Sequence, residues 1–498
     1  MSVAATPSSK TMGDCDAPQE GGATTKVERR VLGAVFLVLV LDLLAFTSIL
    51  PLFPTLLDFY AAPEHRDSVY NVFDYCLESF KRWIGAPAEV GRFNSVFFGG
   101  LLGSLFSFLQ FLSTPVLGAL SDRVGRKPVL VGAVLGSLCC YALWSTATSF
   151  SVFLVSRIVG GLSKASVSVA TAVVADALPP SRRGRGMAVV GVSFSVGFLL
   201  GPSIGAWFAK SAREAPSGAD TFYAAPAYFA IALTLLELVC ISLLLPETLT
   251  RCNTVKVAET DTKLLAENPE CTAGQRSIGD FVNPRKLFAF QSVERCLKAT
   301  EVSTLRLLGV VYFLYLLFYS GMEFNMTFLT HLRFNYDSVM QGRMYFFAGI
   351  IMICLQGCFV RRLALSRQRR CALGGVLVVG VSYAVMAVTR SHALFYGALS
   401  LYAYASAVVV PCLTTMVSVY GTDDNKGAIL GVFRSLGALA RALGPFVASA
   451  AFWLFGPTAT FLVGALLFLL PLKLLASHKA THSALDEATN DAAKDKDA

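Results

Sequence analysis

Seven ionisable residues lie inside long apolar runs of this 498-residue chain, and they carry most of its chemistry. Asp42, Glu237 and Glu323 supply carboxyls; Arg157, Lys164, Arg434 and Arg441 supply cations. A charge within apolar sequence is costly to bury, so such residues turn toward a partner or an internal aqueous space. Arg157 and Lys164 stand seven residues apart, as do Arg434 and Arg441, so the members of each pair share a helix face. Four cations against three anions leave an excess of fixed positive charge, which favours an anionic solute. Lys164 and Arg441, nearest mid-run, are the first candidates to hold that anion. Arg157 and Arg434 are further candidates, or else partners of Asp42 or Glu323 that hold helices in register. Asp42 and Glu323 suit proton exchange, since a buried carboxylate can titrate in a useful range. Glu237 reads as a packing residue. Leu109-Gln110 is echoed by Leu355-Gln356, making Gln110 and Gln356 candidate neutral contacts.

Positioning such groups requires membrane-spanning helices. Hydrophobic residues make up 54% of the chain and charged ones only 15%, well below the roughly 25% of soluble domains. A bilayer core is crossed by about 20 apolar residues in a helix. Runs of that kind fall near 31–57, 93–120, 129–148, 150–178, 185–210 and 222–245, and again near 305–331, 338–360, 372–389, 393–420, 427–455 and 457–476. The expected fold is therefore all-α, with 12 transmembrane helices. The polar stretches divide it into a cytosolic N-terminus (1–30), a six-helix bundle (31–246), a central loop (247–304), a second bundle (305–476) and a cytosolic tail (477–498). Short loops of one parity are basic, with Arg123, Arg126 and Lys127, then Arg182, Arg183 and Arg185, then Arg361, Arg362, Arg367, Arg369 and Arg370. The positive-inside rule places these loops, both termini and the central loop in the cytosol, with Phe59–Gly91 as the main external loop. The halves also repeat: Gly184 and Gly201-Pro202 recur at one common offset as Gly427 and Gly444-Pro445, the mark of a parallel duplication.

The loop closing the second span reads Gly118-Ala-Leu-Ser-Asp122-Arg123-Val-Gly125-Arg126-Lys127-Pro128. Gly118 and Gly125 would permit close helix approach and a sharp reversal, and Pro128 suits a helix start. Asp122 could face the positive end of another helix, while Arg126 could pair with Asp176 at the end of the fourth span. Contacts made in one conformation and broken in another form a gate. The corresponding loop of the second half, Arg361 to Arg370, lacks the aspartate, so a one-sided lock is expected.

These residues resemble the signature between helices 2 and 3 of the major facilitator superfamily. Gly197-Phe-Leu-Leu-Gly201-Pro202-Ser-Ile-Gly205-Ala206 is similar to the glycine–proline motif of its antiporters, with Ala206 in place of the last glycine. Glycines four apart suit tight packing on a neighbouring helix. Phe153-Leu-Val-Ser-Arg157-Ile-Val-Gly160-Gly161 is similar to the pattern that sets an arginine in the membrane, although Gly160 replaces the usual glutamine. Leu41–Pro51, Phe93–Gly100, Val311–Tyr315 and Arg434–Arg441 resemble the animal tetracycline-transporter-like branch. The resemblance implies two pseudo-symmetric six-helix bundles and an organic-anion transporter related in fold to proton-coupled drug antiporters.

Other signals carry less. The cysteines form no CxxC pair, His331 and His392 stand alone, and no nucleotide or nucleophile motif is present. The first 30 residues have no signal-peptide pattern. The expected protein is a monomeric, multi-pass secondary transporter of the plasma membrane or an intracellular membrane. It would use no cofactor or metal, bind no nucleic acid, and partner with a small organic anion, protons and the lipid bilayer. The competing readings are a proton-coupled exporter of cationic drugs and a transporter-like sensor or scaffold acting through the central loop.

Overall fold

The computed structural model describes residues 23–84, 93–178, 180–214, 224–248, 283–291, 297–420 and 423–477. Residues 1–22 and 478–498, the end of the expected external loop and most of the central loop lie outside the described residues. So do the side chains of Arg182, Arg183, Arg185 and Arg361.

In hydrocarbon each backbone N–H and C=O must be satisfied within its own segment, and the described residues form only helices and their connections. The first half contains α1 (Ala23–Thr47), α2 (Phe53–Ala61), α3 (Ser68–Ile84), α4 (Asn94–Val124), α5 (Arg126–Ser145), α6 (Phe150–Ser163), α7 (Ser166–Ala177), α8 (Pro180–Glu214) and α9 (Ala224–Leu244). A short α10 (Pro284–Ala289) precedes the second half: α11 (Ala299–Phe334), α12 (Ser338–Cys358), α13 (Gln368–Val388), α14 (His392–Ser418), α15 (Asp423–Leu467) and α16 (Leu469–Ser477).

Eleven helical segments are long and apolar enough to cross a bilayer. The last, Ile429–Ser477, has 49 residues. As a straight helix it would reach about 74 Å, more than twice the ~30 Å hydrocarbon thickness. It is not straight. Gly456 adopts φ 76° ahead of Pro457, so the segment makes two passes and the fold has twelve.

The first and fourth spans differ from the expected continuous runs. Pro51 and Pro54 interrupt the first, which bends through a 3-10 turn, Leu50–Leu52, before α2. The fourth breaks at Lys164 and Ala165, separating α6 from α7. The terminal and loop boundaries also shift, because helix begins at Ala23 rather than near residue 31, and α10 and α11 intrude on the expected central loop. Asn283 caps α10 by accepting from the Arg285 amide at 3.1 Å, and Glu301 accepts from the Lys298 amide at 3.2 Å to start α11.

The expected external loop contains α3. Its Tyr70, Phe73 and Leu77 recur at helical spacing and pack inward, while Asp67 accepts from the Tyr70 amide at 2.7 Å and caps the helix. The same carboxylate accepts from the amide and hydroxyl of Ser151, each at 2.6 Å, tying α3 to the start of α6. Burial raises the Asp67 pKa, but these hydrogen bonds outweigh it and hold the carboxyl below its usual value.

The halves share a packing plan. In the first, α1 packs on α8; in the second, α11 packs on α15. A Cβ at Gly197 would meet Leu43, one at Gly201 would strike Thr47 and the Leu44 carbonyl, and one at Gly205 would strike the Ser48 carbonyl. In the second half Gly444 lies on Ser320 and the Leu317 carbonyl, while Gly321 lies on Ala448. The halves meet along α4–α15 and α8–α12, where Gly100 fits beneath Ser449 and the Pro445 carbonyl.

Candidate functional site

At one end of the bundle, α4 and α5 join at Gly125. This glycine has φ 122°, and a Cβ there would approach Glu247 to 2.7 Å. Glu247, just beyond α9, accepts from the backbone amides of Arg126 at 2.9 Å and Lys127 at 3.0 Å. The Lys127 ammonium also donates to the Ser242 carbonyl at 2.7 Å. Arg126 donates to Asp176 at 2.8 Å and to the Ser121 hydroxyl at 2.7 Å, and it pairs with Asp122 four residues earlier. The junction is thus an ionic knot among α4, α5, α7 and the end of α9, all within the first half. Asp122 is 62% exposed and Asp176 only 24%, so water screens the first contact more. Arg123 is exposed. Gly118 differs from its expected packing role, because a Cβ there would meet nothing within 4 Å.

Inside the first half, Lys164 pairs with Asp42, and both are almost wholly buried. The alternative partnership of Arg157 with Asp42 or Glu323 is not seen among the described residues. Arg157 instead reaches the Cys140 sulfur at 3.4 Å and lies over the rings of Phe153 and Trp144 at 5.3 and 5.7 Å. A small cavity lined by Phe46, Phe106, Cys140 and Tyr141 brings Arg157 and Lys164 together. Gln110 spans from α4 to donate to the Lys164 carbonyl at 3.3 Å, satisfying a backbone group freed by the helix break. This amide is therefore occupied by the protein itself. Glu237 is fully buried, and neither carboxyl oxygen has a hydrogen-bond partner among the described residues.

The second half treats its charges differently. Arg434, on α15, crosses to the first half and donates to the Thr171 hydroxyl of α7 at 2.5 Å and to the Met187 sulfur of α8 at 3.7 Å. Those contacts fix the direction of its helix face. Arg441, two turns further on, shares that face, is exposed, and makes no hydrogen bond or ion pair among the described residues. Glu323 of α11 is half-buried and accepts from the Tyr402 hydroxyl of α14 at 2.6 Å. Tyr319 donates to Tyr402 at 2.7 Å, and its hydroxyl lies 2.8 Å from that of Ser406. The Tyr319 and Tyr402 rings stack at 5.4 Å with an interplanar angle of 5°. Gln356 of α12 accepts from the Ser195 hydroxyl of α8, so it too links the halves.

At the opposite end from Arg126, the halves close on each other. His331 of α11 lies 3.2 Å from Asp58 of α2, which also accepts from Ser95 at 2.8 Å. Between the halves Trp453 donates to Asn94 at 3.1 Å and the Phe446 amide to Ser104 at 2.8 Å, while within the second half Ser449 donates to Asn325 at 2.7 Å. Phe53 and Phe324 meet edge to face at 5.7 Å.

The family model described as Major Facilitator Superfamily matches residues 34–445. The chain belongs to the major facilitator superfamily. It is 42% identical to human major facilitator superfamily domain-containing protein 10 over 451 residues, covering 90% of this chain and 93% of that protein. The class C tetracycline resistance protein of Escherichia coli is 27% identical over 381 residues, covering 76% of this chain and 86% of that protein. The crystal structure of the human organic anion transporter MFSD10 aligns with a TM-score of 0.72 at 42% identity, over 90% of this chain and 99% of that one. The chain is accordingly a multi-pass facilitator and a membrane transporter, not an enzyme.

In this facilitator several polar residues escaped sequence reasoning: Tyr319, Tyr402, Ser406, Glu247, Asp58 and the contact of His331. The only available signal was spacing. Tyr319 and Glu323 stand four apart, as do Tyr402 and Ser406, so each pair shares a helix face.

Proposed function

We propose that the facilitator carries small organic anions between its two halves by alternating access, as a monomer, with protons as the coupling ion. The human relative of 42% identity is described as an organic anion transporter, and the charge layout supports the same substrate class here. The observation carrying this reading is Arg441: a guanidinium within a spanning helix, on the face that Arg434 turns toward the other half, without a carboxylate partner among the described residues. A guanidinium is always charged and matches a carboxylate or sulfonate through paired N–H donors. Arg434, Lys164 and Arg157 add positive field around the same pathway. Gln110 and Gln356 act on it indirectly, one by holding the Lys164 carbonyl and the other by bonding Ser195 across the halves.

Lys164 is the natural link to protons. Its ammonium is paired with Asp42, the first coupling carboxyl, and an arriving anion competes for that ammonium. Glu323 is the second coupling carboxyl. The two exposures alternate as the halves rock, with the Asp122–Arg126–Asp176 knot and its glycines Gly118 and Gly125 at the cytosolic gate, beside Arg123. The contacts of Asp58 and His331 then lie on the external side, with both termini in the cytosol.

The test is uptake of an organic anion into proteoliposomes. Arg441→Gln abolishes saturable uptake while leaving the protein monodisperse and folded. Undiminished anion uptake in that variant removes Arg441 from the site. Lost cation efflux with intact anion uptake would instead favour a cationic-drug exporter built on Asp42 and Glu323.

A further inference from the structure

We infer that Ser406, Tyr319 and Tyr402 form a hydroxyl relay that delivers protons to Glu323. The inference rests on the proton-coupled reading above and assigns the path by which one coupling carboxyl is reached. Three hydroxyls lie in series: Ser406 to Tyr319 at 2.8 Å, Tyr319 to Tyr402 at 2.7 Å, and Tyr402 to a Glu323 carboxyl oxygen at 2.6 Å, with Tyr319 itself at a longer 3.4 Å from that oxygen. All three separations suit direct O–H···O bonds.

The proton count orders the chain. A tyrosine hydroxyl has a single hydrogen, so Tyr319 cannot donate to both neighbours at once. With Tyr402 donating to Glu323 and Tyr319 donating to Tyr402, the remaining hydroxyl, Ser406, must donate to Tyr319. Every donor then points toward the carboxylate. A proton arriving at the Ser406 oxygen displaces its hydroxyl hydrogen onto Tyr319, whose own passes to Tyr402, whose own passes to Glu323. One proton enters at the serine, one appears on the carboxyl, and each hydroxyl ends with one hydrogen. Rotation of the three hydroxyls resets the chain.

Topology gives the relay a direction. The helices α11 and α14 run antiparallel, so Glu323 lies one turn beyond Tyr319 away from the Arg126 end, while Ser406 lies one turn nearer that end than Tyr402. Tyr319 and Tyr402 are buried, while Ser406 and Glu323, at the two ends of the chain, are half-buried. The charged and titratable groups acting on Glu323 from other helices are Arg441 on α15, Tyr383 on α13 and Tyr345 on α12, and Tyr315 acts from its own helix. None of these interrupts the three hydrogen bonds.

The experiment compares wild type, Tyr319→Phe, Tyr402→Phe and Ser406→Ala in proteoliposomes, with radiolabelled p-aminohippurate as the probe. Accumulation driven by an imposed pH gradient is measured beside anion exchange without a gradient. Phenylalanine keeps the ring stack and removes only the hydroxyl, so exchange reports intact folding and binding. Tyr319→Phe is expected to slow gradient-driven uptake by on the order of 100-fold, the lower range for a positioned proton-transfer group, with exchange unchanged. The wild-type rate should also fall in heavy water more than the exchange rate does. If wild type responds to the gradient and Tyr319→Phe responds equally, the relay is overturned and proton coupling stands. If wild type ignores the gradient, proton coupling itself falls and the relay with it. Equal losses in gradient-driven uptake and exchange would mark the hydroxyls as structural and also overturn the relay.

Discussion

The two halves share a plan of packing and diverge in what they do with charge. In the first, Lys164 is held by Asp42, Arg126 by Asp122 and Asp176, and Arg157 by a thiol and two aromatic rings. In the second, Arg441 has no ion pair among the described residues, and Glu323 is met by phenol hydroxyls rather than by a cation. Ion pairs inside a membrane fix helix register, whereas an unpaired guanidinium retains affinity for a passing anion. The difference lies in how the cations are held, by partners within the first half and without an ion pair at Arg441 in the second.

The sharpest way to break that comparison is to unpair the first half. Asp42→Ala leaves the Lys164 ammonium buried without its partner, and a loss of about 3–5 kcal/mol is expected from a pair this deeply enclosed. Thermal unfolding in detergent would measure it, and Asp42→Ala combined with Lys164→Met should recover most of the loss. Arg441→Gln should leave the same melting curve nearly unchanged, since no ion pair is lost. A large drop would show that Arg441 is structural and dissolve the contrast.

Glycines sharpen it at a smaller scale. Ala at Gly205 would press on the Ser48 carbonyl and cost about 1–3 kcal/mol. Ala at Gly118 has open space in a helix interior and should stabilise by roughly 0.5–1 kcal/mol. Side-by-side melting curves would settle the sign of each.

The smallest effect concerns the anchor of α3. Asp67 has a lowered pKa, so its contribution is fully present above the unfolded value and fades as pH falls through the lower, folded one. Amide exchange over residues 68–84 should quicken in that acidic window and not near neutrality. Asp67→Ala should quicken it at neutral pH, by about 1 kcal/mol of lost capping. Unchanged exchange in both conditions would remove Asp67 as the tether.

Much of the architecture was legible because membranes impose simple rules. Apolar length gave the spans, and repeated Gly-Pro pairs gave the halves. The break at Lys164 was hidden, because Ser163, Lys164 and Ala165 contain no proline, and the group that stabilises the break, Gln110, lies on another helix. Helix α3 was read as loop since its apolar face is narrow and its total hydropathy low. Which carboxylate would face Lys164 or Arg157 also lay beyond spacing, as it depends on the rotation of α1 against α6. The tyrosine pair was missed for a related reason: four-residue spacing reveals a common face, but not that two such faces meet. Arg126 and Asp176 were easier, since both fall at ends of spans that terminate on one side.

The interruption at Gly456 has a mechanical meaning. The connection is as short as the one at Gly125 between α4 and α5. Here a single glycine with φ 76° and the proline after it form the whole connection, and a side chain at that position would strain the backbone even though the nearest atom, on Phe93, is 3.7 Å away. The eleventh pass carries both Arg434 and Arg441. The arginine-bearing rod and the twelfth pass therefore share one short junction, and a displacement at that end of the rod is also a displacement of the start of the twelfth pass.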